Sequence, residues 1–314
     1  MEYQEFVRVI QGELNRQLKG GVKVDLYKAV KNNGKKKEGL IIHTPGANVS
    51  PTIYLEEFYE EFEKGRELEE LIKEILGFYE KVKCITCRDV AELEDYGNIR
   101  SRIAMKLVNR EKNKELMKLV PHREFLDLAL VFYVLLGITE DGSTTMQVYN
   151  EHLSRWGICE REIWEDAKKN AMALLPAQLF TMRGILEADK DTEAQDKYCG
   201  DLLGGKSMER DSMYVLSNTM QNLGAACIAY PGVLEMIGDI LEEDYYILPS
   251  SIHEIVIVPA SESLTPEEMD KMVAEINEAH VLEEEVLSNH AYFYKYEEKK
   301  LQDCSLQSLG IMLG

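Results

Sequence analysis

The chain has 314 residues, of which 45% are hydrophobic and 29% charged, and 56 Asp plus Glu outweigh 36 Lys plus Arg for a formal net charge of -20. This is the composition of a folded globular protein rather than of a disordered acidic tail, and its charge repels nucleic-acid backbones and anionic lipid heads before any local contact forms. The longest apolar stretch, Leu126 to Ile138, is too short for a bilayer span and contains Asp127.

Met1 to Glu5 lacks the basic region and apolar run of a secretory signal. Cys84, Cys87, Cys159, Cys199, Cys227 and Cys304 are too sparse and irregular for a disulfide scaffold. The expectation is a cytoplasmic protein with free thiols, no cofactor, no membrane contact and no nucleic-acid partner.

Phe6, Val9, Ile10, Leu14 and Leu18 predict a helix over 2–18, stopped by Gly20-Gly21. Apolar runs at Val22 to Val30 and around Leu40 to Ile42 flank Asn32-Asn33-Gly34, a hairpin signal, so the Lys35 to Lys37 run reads as a solvated hairpin tip. Leu55, Phe58, Tyr59 and Phe62 predict an acidic helix over 53–63. Leu68, Leu71, Ile72, Ile75, Leu76 and Tyr79 predict a second over 66–82.

Ile103 to Val108 and Phe125 to Leu136 have the texture of core strands, the second long enough to be broken or bent and buried on both faces. Helices follow over 145–156 and 160–175, with Pro176 ending the second. The polar stretch 189–210 is expected to be a mobile loop. Strands are predicted at 213–216, 225–229, 245–248 and 254–258, with a helix at 232–241. At Thr265 the local signals agree: a capping hydroxyl, Pro266 at the first helical position, Glu268 closing a capping box and Leu264 as a staple against Met269. Tyr292, Tyr294 and Tyr296 alternate as an edge strand, and the chain is expected to fray after Lys300.

Helices first, then strands mixed with helices, predict an α+β fold with a mixed or antiparallel sheet. The expected division is an amino-terminal helix and hairpin unit over 1–98 and an α+β core domain over 99–314.

Gly200 to Ser207 spells a phosphate loop, with Gly200, Gly205, Lys206 and Ser207 as its cofactor-binding candidates, but no buried strand precedes it and a strand rather than a helix follows. Cys84-Ile85-Thr86-Cys87 has the spacing of a redox pair or half a zinc site, without a second pair to complete the latter. His253-Glu254 begins a metalloprotease signature but lacks its second histidine. Ser250, Ser251, His253 and Glu254 still cluster between two apolar strands and are the catalytic candidates of a hydrolase-like alternative; satisfaction of backbone groups at the turn is the competing reading. The tyrosine-bearing acidic segments 54–62 and 292–296 offer a protein-binding surface or ordinary packing.

The chain resembles a domain-of-unknown-function family of anaerobic Gram-positive gut bacteria. The likeness rests on Ile53-Tyr54-Leu55-Glu56-Glu57-Phe58-Tyr59, Ile103-Ala104-Met105-Lys106-Leu107-Val108-Asn109, Pro121-His122-Arg123-Glu124-Phe125-Leu126-Asp127-Leu128-Ala129 and Tyr246-Ile247-Leu248-Pro249-Ser250-Ser251-Ile252-His253-Glu254. It implies a cytoplasmic bacterial protein and assigns no residue a role. With no complete catalytic constellation, a non-catalytic protein-binding or small-ligand-binding, regulatory protein is the leading expectation, ahead of the hydrolase-like reading and of nucleotide binding at 200–207.

Overall fold

The computed structural model describes residues 1–45, 50–86, 93–139, 142–188, 200–206, 210–262 and 265–304. Over these the chain is α+β, with helices beside three antiparallel sheets. It forms two compact units, Met1–Ile99 with Leu135–Met146, and Arg100–Val134 with Gln147–Gly314. Among the described residues no helix is long and apolar enough to cross a membrane.

The first unit begins with helix α1, Tyr3–Gln17, which buries Phe6, Val7, Ile10 and Leu14 along one stripe. Gly20 and Gly21 take positive φ values and turn the chain into strand β1, Lys23–Val30. This strand pairs along its whole length with β2, Lys36–His43, from Lys23↔His43 to Val30↔Lys36. Asn33 and Gly34 adopt the left-handed conformation that an Asn-Gly hairpin requires. Lys35 lies at the turn, whereas Lys36 and Lys37 already belong to the ladder.

Strand β3, Thr52–Tyr54, joins the far side of β2, so Ile53 and Tyr54 are extended and not the start of a helix. The pairing needs Gly39, where a Cβ would stand 2.8 Å from the Ile53 carbonyl oxygen. Helices over Glu56–Glu63 and Leu68–Thr86 follow. They and α1 close one core in which Leu40, Ile42, Leu55, Leu71 and Ile75 are fully buried. Removing one such side chain to alanine costs about 2–5 kcal/mol.

In the second unit β4, Ile103–Asn109, pairs with the first seven residues, Leu128 to Val134, of β6, Leu128–Thr139, which also takes β5, His122–Phe125. The predicted 125–136 strand is therefore broken, the chain reversing at Leu126, whose φ is +55°. Leu128 to Leu135 are all buried, as a run without alternation predicts. Thr145 to Gln147 belong to strand β7, Gly142–Gln147, and the helix begins only at Asn150, because neighbouring β6 gives the β-branched Thr144 and Thr145 a ladder. The helix over Glu160–Leu174 lies on β4, fixed by the Asn170 side-chain amide donating to the Ile103 carbonyl at 3.1 Å and by an Arg100–Asp166 ion pair at 2.9 Å.

The six-stranded sheet runs β13-β12-β10-β11-β9-β8, where β8 is Ala177–Thr181, β9 Tyr214–Asn218, β10 Tyr245–Leu248, β11 Ile255–Pro259, β12 Tyr292–Lys295 and β13 Lys300–Asp303. Tyr292 to Lys295 are thus interior. Lys300 to Asp303 return through a turn at Lys299, φ +51°, and take the edge position instead of fraying. Gly224–Ala229 forms a buried 3-10 turn and not the predicted strand. The cause is Asn218, whose side-chain oxygen accepts from the Met220 amide and whose side-chain amide donates to the Asn222 carbonyl, reversing the chain before any ladder can form. The Thr265 capping box and Pro266 start the helix over Pro266–His280 as predicted; Leu264, the proposed staple, lies outside the described residues.

Candidate functional site

Pro249 to Glu254 connects β10 to β11, and the segment 285–288 holds it from the side. The amides of Ile252, Leu287 and Ser288 donate to the carbonyls of Glu285, Ser250 and Pro249 at 2.9, 3.0 and 3.0 Å. Ser250 and Ser251 are buried, and the Ser251 Oγ accepts from the His253 amide at 3.0 Å. His253 Nδ1 accepts from the Leu223 amide at 3.3 Å, which leaves the proton of the neutral ring on Nε2, 3.2 Å from a Glu285 carboxylate oxygen. The Ser217 hydroxyl donates to the His253 carbonyl at 2.8 Å.

Both ring nitrogens are thereby engaged by the turn's own neighbours, and neither serine hydroxyl is a partner of either. Burial raises the Glu254 carboxyl above the ordinary carboxylate range; His253 opposes that shift and Glu285 adds to it. The structure brings the four catalytic candidates together, but as a clasp joining β9, the 3-10 turn and the 285–288 segment. General-base chemistry needs a ring nitrogen within reach of the proton it removes, and this ring offers none.

At the phosphate-loop spelling the amides of Leu202, Leu203, Gly205 and Lys206 are bonded within the protein. Asp201 Oδ1 accepts from the amides of Leu179 and Leu203, both at 3.1 Å, while the Gly205 and Lys206 amides donate to the carbonyls of Leu202 and Asp201. A phosphate nest requires such amides to converge outward. Lys206 is exposed, Gly200 buried, and Ser207 lies outside the described residues, as do Cys87 and the side chain of Cys84. Among the described residues no His, Cys, Asp and Glu side chains gather as a metal site.

The tyrosine-bearing segments are packed as well. Tyr292 and Tyr294 are buried, Phe58 packs on the first unit's core and Lys31 lies 3.5 Å from the centre of the Tyr54 ring.

Strand β1 is different, because it stands at an edge of the β1-β2-β3 sheet. Val24 shows which way its backbone groups alternate: its amide donates to the Asn15 side-chain oxygen at 2.9 Å, and its carbonyl accepts from the side-chain amides of Asn15 and Gln11. Helix α1 therefore seals the first outward position. Two-residue periodicity makes Leu26, Lys28 and Val30 the next outward positions, and their backbone groups meet no partner among the described residues.

The side chains along this stretch are also exposed: Val30 by 70%, Leu26 by 48% and Tyr27 by 44%. Leu26 and Val30 share a face with Lys28, whose ammonium is 2.7 Å from Glu38 on β2. Lysine on an edge blunts uncontrolled pairing; flanked by two exposed apolar side chains, it also offers a charged anchor.

Residues 3–296 match a family of unknown function, DUF5688. The chain belongs to DUF5688. No curated protein and no solved structure matches it. In this DUF5688 chain the catalytic candidates expected at Ser250 to Glu254 come together, and the open β1 edge has no local sequence signal. The lysines are visible in the sequence, but the signal that β1 is outermost lies in the pairing of Thr52 to Tyr54 with β2, of which periodicity assigns Ile53 and Tyr54 to a helix.

Proposed function

We propose that this protein is a non-catalytic protein-binding module whose β1 edge receives an extended segment of a partner as an additional strand. The observation that carries the reading is the row of outward backbone donors and acceptors at Leu26, Lys28 and Val30, beside exposed Leu26 and Val30 side chains. In strand addition, main-chain hydrogen bonds supply affinity and alternate side chains supply selectivity. The hydrolase-like alternative has less support, since the imidazole of His253 is held by Leu223 and Glu285.

A cytoplasmic place of action in a gut anaerobe is part of the same proposal; free thiols at Cys159, Cys227 and Cys304 support the compartment. The test is selection from a displayed library of random peptides against the full chain and against Leu26→Pro, which removes one outward N–H. The wild-type chain is expected to enrich extended peptides that the variant does not retain. Equal enrichment by both, or by neither, contradicts the proposal.

A further inference from the structure

The hairpin that carries the open edge differs in charge from the rest of the molecule. Between Lys19 and Glu38 lie Lys19, Lys23, Lys28, Lys31, Lys35, Lys36 and Lys37 against Asp25 and Glu38, a balance of +5 in a chain of -20. We infer that the segment received by β1 is acidic: an extended stretch of a partner protein in which Asp or Glu alternates with β-branched or other apolar residues. This rests on the strand-addition reading above and names its partner's chemistry.

The alternation follows from the strand itself. Successive side chains on β1 point to opposite faces, and residues opposite each other on paired strands stand side by side on the same face. A partner strand beside Leu26, Lys28 and Val30 meets apolar, cationic and apolar side chains in turn on one face, and Tyr27 on the other. With its apolar side chains on the Leu26 and Val30 face, an alternating strand turns its carboxylates to the face of Lys23, Tyr27 and Lys31. Apolar residues beside Leu26 and Val30 cover surface that is open in the free protein.

The same charges disfavour a second copy as occupant. Antiparallel pairing of β1 with β1 of another molecule sets two lysine-rich hairpins side by side, each of balance +4 from Lys23 to His43, and like charges placed opposite destabilise the pair. They also distinguish this edge from a nucleic-acid site, since phosphate contacts need no backbone ladder and the remainder of the chain repels a polyanion.

The test uses the full chain and fluorescence anisotropy with three labelled probes: a peptide alternating glutamate with valine, the same peptide with glutamine for each glutamate, and a single-stranded oligonucleotide. The acidic peptide is expected to bind about 10-fold more tightly than its glutamine counterpart at low salt, as a few exposed ion pairs supply, with the gap closing as salt is raised. Lys23→Glu with Lys36→Glu, both exposed positions, is expected to remove the gap, and Leu26→Pro to abolish binding of both peptides. Equal affinity for the two peptides, lost in Leu26→Pro, overturns the acidic preference and leaves strand addition standing. Binding of neither peptide overturns both. Oligonucleotide binding indifferent to Leu26→Pro, or a dimer by light scattering that Leu26→Pro dissociates, overturns the inference in favour of nucleic acid or of a second copy.

Discussion

Proline scanning of β1 should show a two-residue parity that follows from its pairing. Even-numbered residues from Val24 to Val30 direct their amides outward, and Asp25, Tyr27 and Ala29 direct theirs to β2, as the Val24–Asn15 bonds and the Lys31 amide donating to the Lys35 carbonyl fix at either end. Proline at 26 removes a donor that bonds nothing among the described residues. Proline at 27 removes a ladder bond opposite Gly39 and leaves a carbonyl unpaired.

Alanine variants at both sites subtract the lost side chains; Leu26 and Tyr27 are each about half exposed, so each loses about 1 kcal/mol of burial. Relative to alanine, proline at 26 should then cost under about 1 kcal/mol and proline at 27 about 3 kcal/mol, an unsatisfied backbone group plus local distortion. Urea denaturation of the four variants measures both differences. Equal costs at 26 and 27, or a larger cost at 26, would refute the open edge.

Asp127 accepts from the buried Tyr292 hydroxyl and, at 2.9 Å, from the Ser288 hydroxyl. Asp127→Ala should cost about 3 kcal/mol by orphaning them, and less in a Tyr292→Phe background, a difference that a double-mutant cycle in denaturant reads; additive losses would deny the coupling. At Gly224 a Cβ would lie 2.2 Å from Ser217 Oγ and 2.6 Å from the His253 carbonyl oxygen, so Gly224→Ala should destabilise by about 3 kcal/mol, and a near-neutral melting temperature would contradict that packing. The hydrogen bond that His290 donates to the Asp270 carboxylate raises the imidazole above its ordinary 6.5, reinforced by the charges of Asp270, Asp127 and Asp303. Protonated His290 therefore stabilises the fold below that value, and the contribution disappears as pH rises through the raised one. His290→Gln should lower the melting temperature in acid and leave it unchanged in alkali, by under about 1 kcal/mol because the side chain is more than half exposed; the opposite trend would remove the Asp270 pair from the account.

Local chemistry was legible from the sequence wherever neighbours in the chain decide the outcome. Asn33-Gly34 set the β1-β2 turn, and Thr265, Pro266 and Glu268 set the start of the last helix. Length and flanking signals did not separate strand from helix at Ile53–Tyr54 or at Thr145–Gln147, because a pairing strand elsewhere decides both. The Ala225 to Ala229 run has strand-like apolarity, yet the turn made by Asn218 sends it beneath β9 as a 3-10 turn. Long-range partners were invisible: Glu285 fixes the role of His253, and Tyr292 that of Asp127. The Lys35 to Lys37 run reads as a solvated hairpin tip from sequence, and that β1 is an edge does not, since charge is written in the sequence and strand order is not.

The most direct test of strand addition at β1 is amide hydrogen exchange, residue by residue, with and without the glutamate–valine peptide. The structure predicts new protection at Leu26, Lys28 and Val30, with Asp25, Tyr27 and Ala29 already slow in the free chain. Peptide binding that leaves those three outward amides exchanging as before would contradict the account.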